Sequence, residues 1–598
     1  MKKVFNKSIA VLCLAMLTYL PVKAQMSGTY TVGSGGTYTS LTSAYNALVS
    51  AGINGPVVLS VISDLSGQQT LSGSVSGAST TNTITITDTT GQNTIGINSN
   101  YALQFSNGVN NVIVKDITIG DPTYSYQYAG VYFTSSSIPH TNIEFRNCII
   151  NAYDGATGGN YYAVYFPGSG TNYLNNIRFI KNTINGGYYN FYLNYPAGNT
   201  TNMASRVGVT IDSNILTNAY YYGVYSCYYG YYPSISYNTI ISRNSASSYY
   251  GILCEYYTTI DTVTGNKISV TSSSQAWGMR FYNYQNYSSS YGANAPMFIS
   301  NNEIRLLSSS STSYGLYCYQ NSQFDIYHNS IYVNGTSTCY GAYFYQNSSS
   351  YKTTFKNNII HINSTSSQRP IYFGSTNFSS SYCTLDYNNY YTTGGSTNYY
   401  GTTSYNTLSS WQTACSQEAN STTLALNCLD FSKSLELFDY TGLGCLQVSG
   451  VSKDIRNNIR TSTCFKGCYE PFILDAEVNI GNGTTLFGII NQPTPINTKL
   501  INRGLSTISA ANIGWSFNDT LKTPVSYAGT LLSGSDTSIA LGNITPTYGS
   551  TNAVKMWVNS VNSTNDPNPL NDTILFNVFG CDSALNGTYT VGGTGADF

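Results

Sequence analysis

The chain has 598 residues and a net charge of −1; 9% of its residues are charged, 41% are hydrophobic and 14% aromatic, with 57 Tyr and 54 Gly. That balance excludes nucleic-acid binding, which needs a clustered basic footprint. It also excludes general disorder, because this apolar and aromatic content is enough to bury a large core.

Lys2, Lys3 and Lys7 precede an apolar run from Ile9 to Leu20, and Val22-Lys23-Ala24 supplies a small-x-small cleavage pattern. Residues 1–24 therefore read as a secretion signal, and the mature chain is expected outside the cytoplasm. No later run reaches the roughly 18 apolar residues of a membrane helix, so no span is expected after cleavage. Of 13 Cys, Cys13 lies in the signal, and the remaining even number permits disulfides in an exported chain. Cys464 and Cys468 lack a partner pair at zinc spacing, and the chain has only 3 His, so disulfides or buried thiols are expected rather than metal. The connectivity stays open.

Next, Tyr38–Val61 reads as a short amphipathic helix, with Ala44, Leu48 and Val49 on one side, leading into the first strands. Such a helix caps an open stack of strands and hides its apolar end. From there an Asn-x-aliphatic phrase recurs at Asn147, Asn182, Asn214, Asn238, Asn266, Asn302, Asn329 and Asn358, at intervals of 24 to 36 residues. Its third residue is Ile149, Ile184, Leu216, Ile240, Ile268, Ile304, Ile331 and Ile360 in turn. Uneven spacing around a fixed phrase is the mark of coils with variable loops, a solenoid. Between the copies stand "YAGVYF" (128–133), "YYGVYS" (221–226), "YYGILC" (249–254), "AWGMRF" (276–281), "SYGLYC" (313–318) and "CYGAYF" (339–344), each alternating as a half-buried strand does.

On these repeats the sequence resembles the right-handed parallel β-helix family, the pectin-lyase-like superfamily in its broad form, over roughly residues 26 to 470. The resemblance implies that each Asn sits in a left-handed bend and stacks on its counterparts through side-chain amides. Toward the end of that region, "DYNNYYTTGG" (386–395), "TLSSWQTA" (407–414) and "VSKDIRNNIR" (451–460) resemble the closing segment of β-helix modules in large bacterial surface proteins. The Asp454 to Arg460 phrase fits that pattern, although "GCYE" (467–470) replaces the acidic phrase that usually follows.

After Pro471 about seven short alternating runs, separated by Gly, Asn, Pro and Asp, indicate a β-sandwich. Asn502, Trp515 and the turn from Asp566 to Asp572 resemble bacterial immunoglobulin-like adhesion modules. The turn "NDPNPLND" offers oxygens for calcium, and an ordinary Asn/Asp/Pro turn explains it equally. Finally "GTYTVG" at 587–592 repeats "GTYTVG" at 28–33, as if a second β-helix module began there. The expectation is an all-β chain: signal 1–24, right-handed parallel β-helix 25–470 with an N-terminal capping helix, β-sandwich 471–580, and the start of another module at 581–598.

Catalysis finds little support in these residues. Glycan hydrolases of this shape need paired carboxylates, yet Asp212, Glu255, Asp261, Glu303, Asp325 and Asp386 are scattered along the solenoid. Asp325 and His328 stand three apart, a spacing that puts strand neighbours on opposite faces. No cofactor and no metal are expected.

If Val131, Val164, Phe191, Val224, Ile252, Met279, Leu316, Ala342 and Ile371 point inward, their successors form one outward column: Tyr132, Tyr165, Tyr192, Tyr225, Leu253, Arg280, Tyr317, Tyr343 and Tyr372. Two readings of it stay open: cross-coil stacking that stabilises the sheet, and an aromatic platform for a polysaccharide. The preceding glycines are expected to leave backbone that an aromatic ring covers. The expected role is a secreted or bacterial cell-surface adhesin-type module, in tandem with others, binding a glycan or a neighbouring surface. A polysaccharide lyase or hydrolase and an inert surface spacer are the alternatives.

Overall fold

The computed structural model describes residues 25–581, apart from 136–137, 169–172, 196–206, 245, 257, 283–295, 309, 320–322, 346–350, 376–377, 402, 429, 482–485, 548–551 and 570. The expected signal and the repeated phrase at 587–592 lie outside the described residues. Chain contacts divide the protein into two units. The first reaches Ala425 and includes Asp430–Leu435 and Cys445–Tyr469; the second comprises Leu426–Leu429, Glu436–Gly444 and the chain from Glu470 on.

In the first unit each circuit of the chain lays one strand in each of three sheets. Sheet 1 has 13 strands, from Met26–Val32 to Cys383–Asp386, and sheet 2 has 12, from Leu65–Ser66 to Asn389–Gly394. Sheet 3 has 13, from Gln69–Ser72 to the short antiparallel return at Ser404–Tyr405. Pairing is otherwise parallel, with register shifts at Met26/Gly28 and Leu65/Ser66 and like residues matched at Ile143↔Ile177 and Val224↔Ile252. This is the parallel β-solenoid that the repeats call for.

The interior is filled by stacked like residues. Phe145 and Phe179, paired in register, lie 4.9 Å apart at 4°. All nine residues expected to point inward on sheet 3, from Val131 to Ile371, are no more than 1% exposed. The glycine beside them has a different task from the one expected. A methyl on Gly278 would lie 2.4 Å from the Gly315 carbonyl oxygen and 2.5 Å from Ile304 Cγ2. Glycine there lets adjacent coils and the facing sheet 2 approach each other, and no ring needs to cover it.

The asparagines form a continuous chain of hydrogen bonds at the bend between sheets 1 and 2. Asn182 donates its backbone and side-chain N–H to Asn214 Oδ1 at 2.9 Å each, and its amide also reaches the Phe145 carbonyl at 3.0 Å. The same pattern continues through Asn238, Asn266, Asn302, Asn329 and Asn358 to Asn388, an eighth member absent from the sequence reading. All are buried, so the ladder supplies partners that buried amides require. Two expectations need correction. The left-handed residue is the one before each ladder Asn, such as Lys181 (φ 57°), Ser213 (58°), Tyr237 (56°) and His328 (53°). Asn147 is itself such a residue (φ 53°) and is exposed; its neighbour Cys148 holds the ladder position and donates its N–H to Asn182 Oδ1 at 2.9 Å. The "NCII" phrase satisfies the pattern in two frames, and Ile150, not Ile149, pairs with Ile184.

Helix α1, Leu41–Ala51, starts at a Ser40/Ser43 capping box and buries Leu41, Ala44, Tyr45 and Leu48. Val49, expected on that side, is instead 38% exposed. Helix α2, Leu408–Cys415, begins at a Thr407/Ser410 capping box and seats Trp411 against Phe373 and Phe378 at 6.0 and 5.4 Å. The Asn ladder ends on Glu418, which accepts from Asn388 Nδ2 at 3.1 Å, Tyr390 OH at 2.5 Å and the Ser421 hydroxyl. Burial pushes that carboxyl up to about 7.

In the second unit a three-stranded sheet (Ala476–Ile480, Thr494–Asn502, Asp536–Ile544) faces a five-stranded one built around Ile508–Phe517 and Ala553–Val561. Ile496, Leu500, Ile513, Trp515, Val554 and Met556 share one apolar core between them, so the unit is a β-sandwich. Asn502 is buried and donates to the Ser506 and Leu531 carbonyls at 2.8 Å each. The turn from Asp566 is held from within and by Asp475: Asp566 accepts from Asn568 N at 2.9 Å, and Asn568 and Asn571 donate to Asp475 at 3.0 and 2.9 Å.

Candidate functional site: an aromatic face on sheet 3

The structure brings the expected column together residue for residue. Tyr132, Tyr165, Tyr192, Tyr225, Leu253, Arg280, Tyr317, Tyr343 and Tyr372 are register partners on consecutive strands, and Tyr400 extends the row. Ring centroids lie 5.2 Å apart at Tyr132–Tyr165, 4.5 Å at Tyr317–Tyr343, 4.8 Å at Tyr343–Tyr372 and 4.4 Å at Tyr372–Tyr400, all nearly parallel.

A second column, missed in the sequence, runs beside it: Tyr162, Tyr189, Tyr222, Tyr250, Trp277, Tyr314 and Tyr340, ending on Arg369. Its rings stack at 4.7 Å and 2° for Tyr189–Tyr222, and at 4.1 Å for Trp277–Tyr314. Strict alternation puts Tyr222 and Tyr225 on opposite faces. Two successive buried residues, Gly223 and Val224, break the alternation, so Tyr222 and Tyr225 meet at 5.2 Å; Ala163-Val164 and Asn190-Phe191 do the same for Tyr162–Tyr165 and Tyr189–Tyr192 at 4.0 and 4.9 Å. The Tyr-Gly-x-Tyr spacing of "YGVY", repeated in "YGLY" and "YGAY", carried that signal.

Two arginines are set among the rings. The Arg280 guanidinium lies 4.9 Å from the Trp277 centroid, 5.0 Å from Tyr282 and 5.6 Å from Tyr317, and 3.9 Å from the Glu255 carboxylate. Arg369 lies 5.1 Å from both Tyr340 and Tyr372. Burial raises the Glu255 pKa, and Arg280 partly offsets it. Burial, followed by the charges of neighbouring rings, pushes Tyr165 up to about 12. The Tyr165 phenol therefore stays protonated throughout the physiological range.

Leu253 closes the gap in the first column and is only 2% exposed, packed with Tyr250 and Trp277. Where rings stack along the solenoid axis, as at Tyr132–Tyr165 and from Tyr317 to Tyr400, each covers its neighbour's face, while Tyr165–Tyr192 is tilted at 55°. Half-buried edges and hydroxyls are what the column offers outward. Among the described strand residues of sheet 3, Glu255 is the one acid, so those strands carry no carboxylate pair. Asp325 and His328 do not meet as a site: Asp325 is a sheet 1 strand residue paired with Phe298, while His328 is buried at the following bend.

No family model matches the chain, and no curated protein matches it. The crystal structure of the CARDB domain of the PF1109 protein from Pyrococcus furiosus, in complex with di-metal ions, is 18% identical, with a TM-score of 0.16; the match covers 19% of this chain and 91% of that one. The solution structure of the same domain is 17% identical, covering 19% of this chain and 99% of that one, again with a TM-score of 0.16. Likenesses at this level bear on neither fold nor function.

Proposed function

We propose that the protein is a non-catalytic, extracellular or cell-surface adhesin-type module whose sheet 3 face binds a regularly repeating, hydroxyl-rich polysaccharide. The observation that carries this reading is the pair of registered aromatic columns. They repeat at the strand spacing of about 4.8 Å and turn a row of phenol hydroxyls and ring edges to one side. The stacked rings are fixed by their neighbours, so little side-chain freedom is lost on binding. Arg280 and Arg369 add cationic points suited to sugar carboxylates. The pectin-lyase-like resemblance of the solenoid and the adhesion-module resemblance of the sandwich belong to the same reading.

A surface spacer is the second reading, favoured by the mutual covering of ring faces. Retention of the purified chain on insoluble polysaccharides and on whole cells separates the two. Binding that falls when Tyr317 and Tyr343 are both replaced by Ser, with the far-ultraviolet signal unchanged, supports the platform. Loss of stability without any change in retention supports the spacer. Arg280→Ala is expected to weaken acidic polysaccharides more than neutral ones. Accumulation of new reducing or unsaturated sugar ends would point instead to a lyase or hydrolase.

A further inference from the structure

Beyond the aromatic face, the segment that follows the last coil holds a buried sulfur pair. Cys445 lies on strand Gly444–Leu446 and Cys464 on its hydrogen-bonded neighbour Thr463–Phe465. Their Sγ atoms are 3.1 Å apart, and the residues are 5% and 1% exposed. The chain from Cys445 to Phe465 is laid across three successive coil bends. Asn301 donates to the Lys453 carbonyl at 2.7 Å and accepts from Arg460 Nη2 at 2.8 Å. His328 Nδ1 meets the Phe465 carbonyl at 3.1 Å, and Asn357 Nδ2 donates to the Leu446 carbonyl at 2.8 Å. Asn301, His328 and Asn357 are the left-handed residues that precede three consecutive ladder asparagines.

The pair has two chemical uses, because His328 joins it: the ligand atoms of His328, Cys445 and Cys464 lie within 4.8 Å of one another. The imidazole decides between them. A carbonyl only accepts, so Nδ1 carries the proton toward Phe465. Nε2 is 2.9 Å from Asn357 Nδ2, whose orientation as a donor is fixed by its second bond to the Leu446 carbonyl. Both ring nitrogens are thereby used, and no lone pair is left for a metal. The thiols remain, with each other as partner.

We propose that Cys445 and Cys464 form a disulfide that clasps the 445–469 segment over the bends of the solenoid. One S–S bond forms as the two thiols release two protons and two electrons. The electrons reduce the disulfide of a thiol–disulfide exchange partner, which leaves as a dithiol. Closing takes place before the segment docks, since both sulfurs are buried afterwards.

The test is peptide mapping of the full chain, produced with export to an oxidising compartment, alkylated under denaturing conditions without reductant. The expected result is a linked fragment pair containing Cys445 and Cys464 that separates on reduction. Complete alkylation of both thiols overturns the proposal, and so does stoichiometric zinc that is lost on Cys445→Ser. Hydrogen exchange of residues 446–463 supplies a second readout. Reduction, or Cys445→Ser with Cys464→Ser, is expected to speed exchange there on the order of 100-fold, the loop-closure effect of an 18-residue loop, while the sheet 3 strands keep their rates. Unchanged exchange in 446–463 contradicts the clasp.

Discussion

Replacing Asn266 by Ala removes a group that serves four partners at the sheet 1–sheet 2 bend. Its amide donates to the Ile235 carbonyl at 2.9 Å and to Asn302 Oδ1 at 3.0 Å. Its oxygen accepts the backbone and side-chain N–H of Asn238 at 3.0 Å each. Asn302 Oδ1 keeps the Asn266 backbone N–H, and the Asn238 amide keeps the Ile211 carbonyl. That leaves the Ile235 carbonyl and the Asn238 N–H buried without partners. At about 1–3 kcal/mol for each orphaned group, the coil loses about 2–6 kcal/mol of local stability. A solenoid opens locally, so hydrogen exchange is the suitable assay. Amides near 235–240 and 266–268 are expected to exchange about 30-fold to about 10^4-fold faster, at about 1.4 kcal/mol per decade. Asn147→Ala is the control: that side chain is exposed and lies outside the ladder, and the left-handed backbone alone costs about 1–2 kcal/mol. Equal effects of the two substitutions, or an Asn266→Ala rate change under about threefold, would refute the ladder as a source of stability.

Gly278→Ala is expected to cost about 1–3 kcal/mol by overpacking, because its methyl meets the Gly315 carbonyl at 2.4 Å; Gly158→Ala, with open space around it, is expected to be neutral in the same chemical denaturation series. Glu418 is fully buried and its pKa is raised from 4.5 to about 7. The folded chain then holds a proton that the unfolded chain releases, so its contribution is fully present below pH 4.5 and is lost as pH rises to about 7. Over that window the ladder end is expected to lose about 3 kcal/mol, read as faster exchange around Asn388, and Glu418→Gln is expected to flatten the dependence. His361 and His140 act in the opposite sense. Burial lowers each to about 4, so their contribution is present above pH 6.5 and lost as pH falls toward 4. Melting of His361→Gln is expected to be less sensitive to acid over that range.

Much of the fold was legible because a solenoid repeats its instructions. A recurring Asn at a bend and an alternating middle strand specify coil, register and an outward column together. What the sequence hid follows from local exceptions to those periods. Asn147 was placed in the ladder because "NCII" satisfies the phrase in two frames, and only burial distinguishes Cys148 from Asn147. Asn388 was passed over because an aromatic follows where the phrase has an aliphatic residue. The second aromatic column was invisible to strict alternation, since two successive buried residues, such as Gly223-Val224, Ala163-Val164 and Asn190-Phe191, shift the phase of these strands by one residue. The buried contacts of Glu418 with Asn388 and Tyr390, and of Cys445 with Cys464, span 19 to 30 residues, and no spacing rule connects them.

The central claim, that phenol hydroxyls and ring edges of sheet 3 bind a polymer while the ring faces bind each other, is tested most directly by Tyr317→Phe combined with Tyr343→Phe. These substitutions keep the stack and delete the hydroxyls. Retention of the variant and the parent is measured side by side on whichever insoluble polysaccharide retains the parent. The account predicts an unchanged melting temperature with retention reduced at least about tenfold, as the loss of two hydrogen bonds of about 1 kcal/mol each implies. Undiminished retention by the double phenylalanine variant, or no retention of the parent on any polysaccharide or cell surface, would contradict it.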